Sequence, residues 1–470
     1  MGNDSDTKQE NKDMGKSGRN VLGTLPIGQL LRKFAVPSIV AMMVGALYNI
    51  VDQFFIGHSV GELGNAATNI AFPLTISCTS IALLFGIGSA SAFNLAMGEG
   101  DKEHAPYYIG NAISMLLIVG ISLSLVTELF LPNLLVLFGS PASVMEYAKT
   151  YTRITAIGFP VLILSTGGAH LIRADGSPTY SMFCNLTGAL INTALDALFV
   201  FTFKWGMAGA AWATIIGQYA SGFLVIRYLL NYKTVDLKLM HLRPRSEYVL
   251  RDASLGTASF FNQVAMMVVQ IILNNSLKYY GGRSVYGESI PIACVGIISK
   301  VGQMFFSVVI GISQGLQPID SFNYGAKNYT RVRKATFLAL SVAFCVSLVA
   351  FAVFRLFPLQ IIKMFGEGTQ EYYDFAVRYF KIYFFFICLN FLQPIISNFF
   401  TSTGRPQRGM FLSLTRQIIF LIPLILILPK FFGIDGILYA GPIADGIAIV
   451  ICLVMAIVEF KKPMYWESNI

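Results

Sequence analysis

Two aspartates stand alone in long apolar stretches: Asp52 in ALYNIVDQFFIG (46–57) and Asp196 in NLTGALINTALDALFVF (185–201). An isolated ionised acid in such surroundings is costly, so each should be protonated, paired or bound to a cation. Asn192 precedes Asp196 by four residues, which places both on one helix face. Thr214, in WGMAGAAWATIIGQ, adds a hydroxyl at a matching level of the following apolar run. In a carboxylate pair the second negative charge raises the affinity for a proton, and oxygen ligands from Asp, Asn and Thr also suit a hard monovalent cation. The chemistry expected of Asp52, Asn192, Asp196 and Thr214 is therefore binding of a coupling ion, H+ or Na+. With Na+ the same four residues are the metal ligands. Other chemistries lack their residues. There is no HExxH or Walker pattern, and His58, His104, His170 and His241 are scattered. Neither an intramembrane enzyme nor intrinsic ATP drive fits. The six cysteines occur singly with no CxxC, so they read as packing residues, with neither disulfide nor zinc expected.

The elements that position these groups follow from composition. Apolar residues make up 55% and charged residues 13% of the chain, and the mean hydropathy is +0.63. These values describe an integral membrane protein. A bilayer core needs roughly 20 apolar residues per helix, and twelve such runs are predicted: 34–57, 66–96, 107–131, 152–173, 181–203, 206–231, 253–278, 291–318, 335–357, 373–402, 409–430 and 434–460. A polar stretch, 1–27, precedes the first run and is expected to be a disordered cytoplasmic tail; with no small-residue cleavage site in its flank, that run does not read as a cleaved signal peptide. With the N-terminus inside, about 22 Lys and Arg fall on the inner side and about 10 on the outer. Both termini are thus expected in the cytoplasm of a cell whose plasma membrane the chain spans many times. Basic loops such as KLMHLRPRSEY (238–248) read as topology signals and account for the net charge of +9 without nucleic acid.

At 1.5 Å per residue, Asp52 lies roughly 8 Å below the outer end of its helix, and Asp196 and Thr214 roughly 10–12 Å below theirs. Polar groups from three helices converge on one level. The plain alternative is that they only hydrogen-bond helices together. Against it, no basic residue occurs at similar depth in this half to neutralise two acids.

The chain also repeats itself. FGIGSASAFNLAMGEGDKEHA (85–105) aligns with ISQGLQPIDSFNYGAKNYTRV, pairing Gly88 with Gly315 and Gly98 with Gly325 at an offset of about 227. WGMAGAAWATIIGQ aligns with FGIDGILYAGPIAD (432–445) at the same offset, and ADGSPTYSM with STGRPQRGM, pairing Gly176 with Gly404 and Pro178 with Pro406. Each copy holds six helices, an even number, so the copies share one orientation and are expected to be related by a pseudo-two-fold axis along the membrane normal. The expected organisation is an N-lobe (28–231, helices 1–6), a cytoplasmic linker (232–252), a C-lobe (253–460, helices 7–12) and a cytoplasmic tail (461–470). The duplication is an internal control: Asp52 faces Ser276, Asp196 faces Leu424 and Thr214 faces Gly441, so the ion site is expected in the first lobe only.

NIVDQFFIGHSVGELGNAA, FNYGAKN, the RADGSP and TSTGRP turns, and LTRQIIFLIPLILILP, in this order over residues 28–460, together resemble the multidrug and toxic compound extrusion (MATE) family. The resemblance implies a twelve-helix, V-shaped exporter that exchanges Na+ or H+ for organic, often cationic, compounds by alternating access. It also implies the same four positions, Asp52, Asn192, Asp196 and Thr214, as the amino-lobe cation site of one branch of the family. The expected substrate is a small organic cation and the expected surroundings membrane lipid, with no nucleic acid, no cofactor besides the coupling ion, and a monomeric state.

A cleft between the lobes would receive the substrate, with Tyr48, Asn275, Gln303 and Asp445 as candidate contacts. Lys300 and Arg416, inside predicted helices, are expected to pair or snorkel, Lys300 with Asp445 as one option. Asp320 and Asp435 are expected to cap or pair locally. A lipid-linked oligosaccharide flippase of the same fold superfamily is the alternative function, but the amino-lobe acids run against the basic cavity that a pyrophosphate favours. A channel would leave a duplicated lobe with one asymmetric ion site unexplained.

Overall fold

The computed structural model describes residues 21–287, 289–364 and 369–466. These residues form helices and short connections, with no strand among them. The first lobe comprises α1 (Ile27–Val60), α2 (Glu62–Glu99), α3 (Ala105–Leu137), α4 (Ala142–Ala174), α5 (Pro178–Asp196) and α6 (Gly206–Leu229). The second comprises α7 (Ser246–Gly281), α8 (Ser289–Gly325), α9 (Tyr329–Leu356), α10 (Gln370–Tyr383 and Leu392–Ser402), α11 (Pro406–Phe432) and α12 (Ile434–Phe460). In the bilayer every backbone N–H and C=O must be satisfied within the segment, which is why the apolar runs resolve into helices. Among the described residues eleven helices are long and apolar enough to cross a membrane.

The tenth expected span, 373–402, is not one continuous helix. Its two halves are separated by a turn region over 384–391, held by short-range bonds such as Leu389 N–H to the Phe386 carbonyl at 2.8 Å. Pro394 is the local cause: it lacks the N–H that would pair with the carbonyl of Asn390, and its ring clashes with that carbonyl. Two π-helical turns interrupt other spans, Ala197–Thr202 directly after Asp196 and Thr415–Leu421 in α11. The second precedes Pro423, which removes the donor for the Ile419 carbonyl.

Turn chemistry repeats with the sequence. Gly176 and Gly404 both adopt positive φ, 81° and 77°, and Pro178 and Pro406 both open the next helix. Only glycine adopts that backbone without strain, and proline fits a first helical turn where its missing donor is not needed.

Two expected boundaries shift. The expected N-terminal tail lies outside the described residues up to residue 20, but Val21–Thr24 form a helical turn with Leu22 buried. Arg331 of the second lobe donates to the carbonyls of Leu22 and Leu25, the latter at 2.7 Å, which anchors the segment. The linker ends earlier than expected, since α7 starts at Ser246. It is also pinned to the first lobe: Asp175 accepts from the backbone N–H groups of Lys233 and Thr234 at 2.8 and 2.9 Å and from the Tyr228 hydroxyl at 2.7 Å. Burial pushes the Asp175 carboxyl up from its ordinary range, and these donors draw it part of the way back. The six cysteines are free thiols; Cys345 is exposed, so it is not a core packing residue.

The lobes meet mainly along three helix pairs: α2 on α7, α8 on α1, and α2 on α8. The first two pairs exchange under a shift of six helices, as a two-fold axis through the third requires. At α2 and α8 the contact is reciprocal. A methyl carbon in place of a Gly98 hydrogen would lie 2.2 Å from the Phe322 carbonyl oxygen, and one at Gly325 would lie 2.2 Å from that of Leu95. Glycine lets the two backbones touch, in the manner of small-residue interfaces between membrane helices. Gln317 adds a polar clamp, donating to the Ile87 carbonyl at 3.1 Å and to the Ser91 hydroxyl at 2.9 Å. These approaches lie toward the end of the bundle that carries the chain termini.

Candidate functional site

The α1 and α5 helices pack side by side in the first lobe, with α6 against both. Asp52 sits eight residues before the end of α1 at Val60, Asp196 directly before the π turn that ends α5, and Thr214 eight residues into α6. Measured from the end of the bundle opposite the termini, all three lie roughly 9–12 Å deep at 1.5 Å per residue. The four residues singled out by sequence come together there. Asp196 is fully buried and Asp52 only 9% exposed, with Asn192 and Thr214 buried beside them.

The Asn192 amide donates to the Thr214 hydroxyl at 3.4 Å, and Thr214 in turn donates to the Ala210 carbonyl at 3.0 Å. The Asp52 and Asp196 carboxyl groups lie within hydrogen-bonding reach of each other. As two carboxylates they have no hydrogen to share. Asp52 Oδ1, both Asp196 oxygens and Asn192 Oδ1 accordingly have no hydrogen-bond partner. Neither acid has an ion pair with a described Lys, Arg or His. Burying unsatisfied acceptors of this kind is costly, and one positive particle, a proton or a small metal ion, satisfies several of them together. An all-oxygen set suits H+ or a hard cation such as Na+. No group of three or more His, Cys, Asp or Glu able to hold a metal occurs among the described residues.

Two tyrosines complete the shell. The Tyr48 and Tyr151 side chains reach Thr214 and lie close to both acids. Tyr48, which the sequence places among the candidate cleft contacts, thus lies beside the ion cluster. Tyr151 comes from α4 and had no sequence signal; tyrosines are common in this chain, and only the packing of α4 on α6 selects this one.

The second lobe holds a different polar centre. Arg416, in the π turn of α11, forms an ion pair with Asp445 of α12, which is 3% exposed. Asn390, freed by the break in α10, donates to Asp445 Oδ2 at 2.9 Å, and Tyr383 reaches Arg416. Asp445 is thus neutralised from inside the protein, by Arg416 and not by Lys300, for which no ion pair appears. Asn275 and Gln303 are exposed and join neither cluster. Asp320 accepts from the Thr336 hydroxyl at 3.2 Å and Asp435 pairs with Arg378 at 2.9 Å, both local contacts.

Comparisons with known proteins match this fold. The MatE family model matches residues 37–198 and 255–427, one block in each lobe. The chain is 22% identical over 426 residues to the multidrug export protein MepA of Staphylococcus aureus strain MSSA476, covering 90% of this chain and 92% of that protein. It is 23% identical over 423 residues to MepA of Staphylococcus haemolyticus, covering 89% and 91%. Among solved structures, the outward-facing conformation of a multidrug resistance MATE family transporter of the MOP superfamily superposes with a TM-score of 0.87 at 22% identity, covering 95% of this chain and 99% of that one. A MATE in a bent conformation superposes with a TM-score of 0.85 at 21% identity.

Proposed function

Because the chain belongs to the MatE family, whose members are transporters and not enzymes, we propose that it exports organic, mainly cationic, compounds by exchanging them for H+ or Na+ bound at Asp52, Asn192, Asp196 and Thr214. The observation that carries this reading is the set of buried, unpartnered oxygens on two touching carboxyl groups. A scaffold that only joined helices would pair those atoms with donors. The second lobe does so, where Arg416 neutralises the buried Asp445.

In this reading both termini lie in the cytoplasm, the cation site opens toward the outside, and the protein works as a monomer in the cell membrane. Ionised Asp52 and Asp196 attract a cationic compound into the cleft; an ion arriving from outside cancels that charge and favours release. The export activity of the MepA relatives supports this role over lipid-linked oligosaccharide flipping. The direct test is efflux of a fluorescent lipophilic cation from vesicles under an imposed Na+ or H+ gradient. One gradient should drive efflux, and the drive should vanish in Asp52→Asn and Asp196→Asn. Efflux indifferent to both gradients would sink the exchange mechanism.

A further inference from the structure

Outside the cation site, one more carboxylate in the described spans is fully buried with neither oxygen partnered: Asp252, on α7. The other buried acids are all served. Asp320 has Thr336, Asp445 has Arg416 and Asn390, and Glu459 has Arg405, Arg408 and Lys462.

Asp252 sits at the tightest approach between the lobes. A carbon added at Gly88 of α2 would lie 1.9 Å from the Asp252 carbonyl oxygen. One turn further along α7, a carbon added at Gly256 would lie 1.8 Å from the Leu84 carbonyl oxygen. Residues 252 and 256 share a helix face, so the face that carries the acid is pressed against the other lobe. The titratable groups that face it are few. Arg251, its exposed neighbour on α7, points toward the Gly404 turn, and Tyr108 comes from α3. The facing stretch of α2, residues 84–91, has no titratable side chain, and no charged group of α8, α10, α11 or α12 acts on Asp252. A carboxylate sealed there carries an uncompensated charge. Backbones in contact leave no room for a metal ion, whereas a proton needs none.

We propose that Asp252 is a proton-binding site separate from the cation site of the first lobe: its carboxylate takes up one proton from water as the seam between the lobes closes at the terminus-bearing end, and gives it back when the seam opens. This rests on alternating access as read above, but not on which ion the first lobe binds. Even with Na+ as coupling ion, the seam would respond to pH on the side that it closes.

The experiment measures the distance between spin labels at Asn231→Cys and Lys461→Cys, at the terminus-bearing ends of α6 and α12, in the full chain with its native cysteines replaced. Asp52→Asn and Asp196→Asn are included to silence the first-lobe site. The ratio of open to closed seam should rise about tenfold per pH unit across the interval in which Asp252 is ionised only when open. Asp252→Asn should abolish that slope and hold the seam closed at every pH, and Asp252→Leu should do the same without an amide. A slope that survives both substitutions, or no slope in the silenced background, overturns the proposal. Neither result touches ion-driven efflux, which is measured separately through Asp52 and Asp196.

Discussion

Asp52 and Asp196 show how little of a membrane protein's chemistry depends on an elaborate motif. Two acids, an amide and a hydroxyl are proposed as a cation site because four of their oxygens have no hydrogen-bond partner among the described residues. Asp52→Asn and Asp196→Asn keep shape and remove charge, so each should reduce gradient-driven efflux to the level seen without a gradient while leaving membrane insertion intact. Ser276→Ala and Leu424→Ala, at the equivalent positions of the second copy, should leave it near that of the unaltered protein; equal loss at Ser276 would contradict a site confined to one lobe. Tyr151→Phe tests the outer shell. Removing a hydroxyl that reaches Thr214 should weaken the ion dependence of efflux by about 10-fold, the lower end of what groups that orient the ligands of a bound ion contribute.

Elements carry the second lobe's polar centre. The break in α10 releases Asn390, the π turn of α11 carries Arg416, and both converge on Asp445 of α12. Removing one partner leaves a buried charge uncompensated, which costs about 3–5 kcal/mol. Arg416→Met should therefore lower thermal stability in detergent strongly, and Arg416→Met combined with Asp445→Leu should recover most of it. No recovery in the double variant would show that Arg416 acts through something other than this pair. The linker offers a milder case. Asp175→Asn loses charge-assisted bonds to Lys233 and Thr234, at a cost of about 1–3 kcal/mol, and should loosen residues 233–234 in hydrogen exchange.

At the scale of the whole molecule, the two lobes touch through glycines at the terminus-bearing end. A larger side chain at Gly88 meets the Asp252 backbone, so Gly88→Val should shift the lobes toward the open seam and lengthen the same spin-label distance. Exchange also predicts competition. Drug and ion each stabilise the same carboxylates, so raising Na+ or lowering pH, whichever ion is coupled, should weaken equilibrium binding of a lipophilic cation to the purified protein. Asp196→Asn should blunt that dependence, and binding unchanged across both titrations would refute the exchange.

Much of this architecture can be read from the residues in order. Long apolar runs specify spans because each must satisfy its own backbone in lipid, and the recurrence of Gly176 and Pro178 as Gly404 and Pro406 exposes the duplication through turn chemistry. The solitary position of Asp52 and Asp196 in such runs marks them as candidate sites, since an isolated charge in lipid is costly. What one dimension withholds is which faces meet. Pro394 lies near enough to the start of its helical segment that the run around it still reads as one span, although its ring opens the turn that frees Asn390. Arg416 and Asp445 lie on different helices, Tyr151 looks like any other tyrosine, and Asp252 reads as the end of a polar linker. Each acquires its role only when helices pack, because desolvation by a neighbouring lobe and reach across a helix interface are properties of the assembled bundle and leave no periodicity in the sequence.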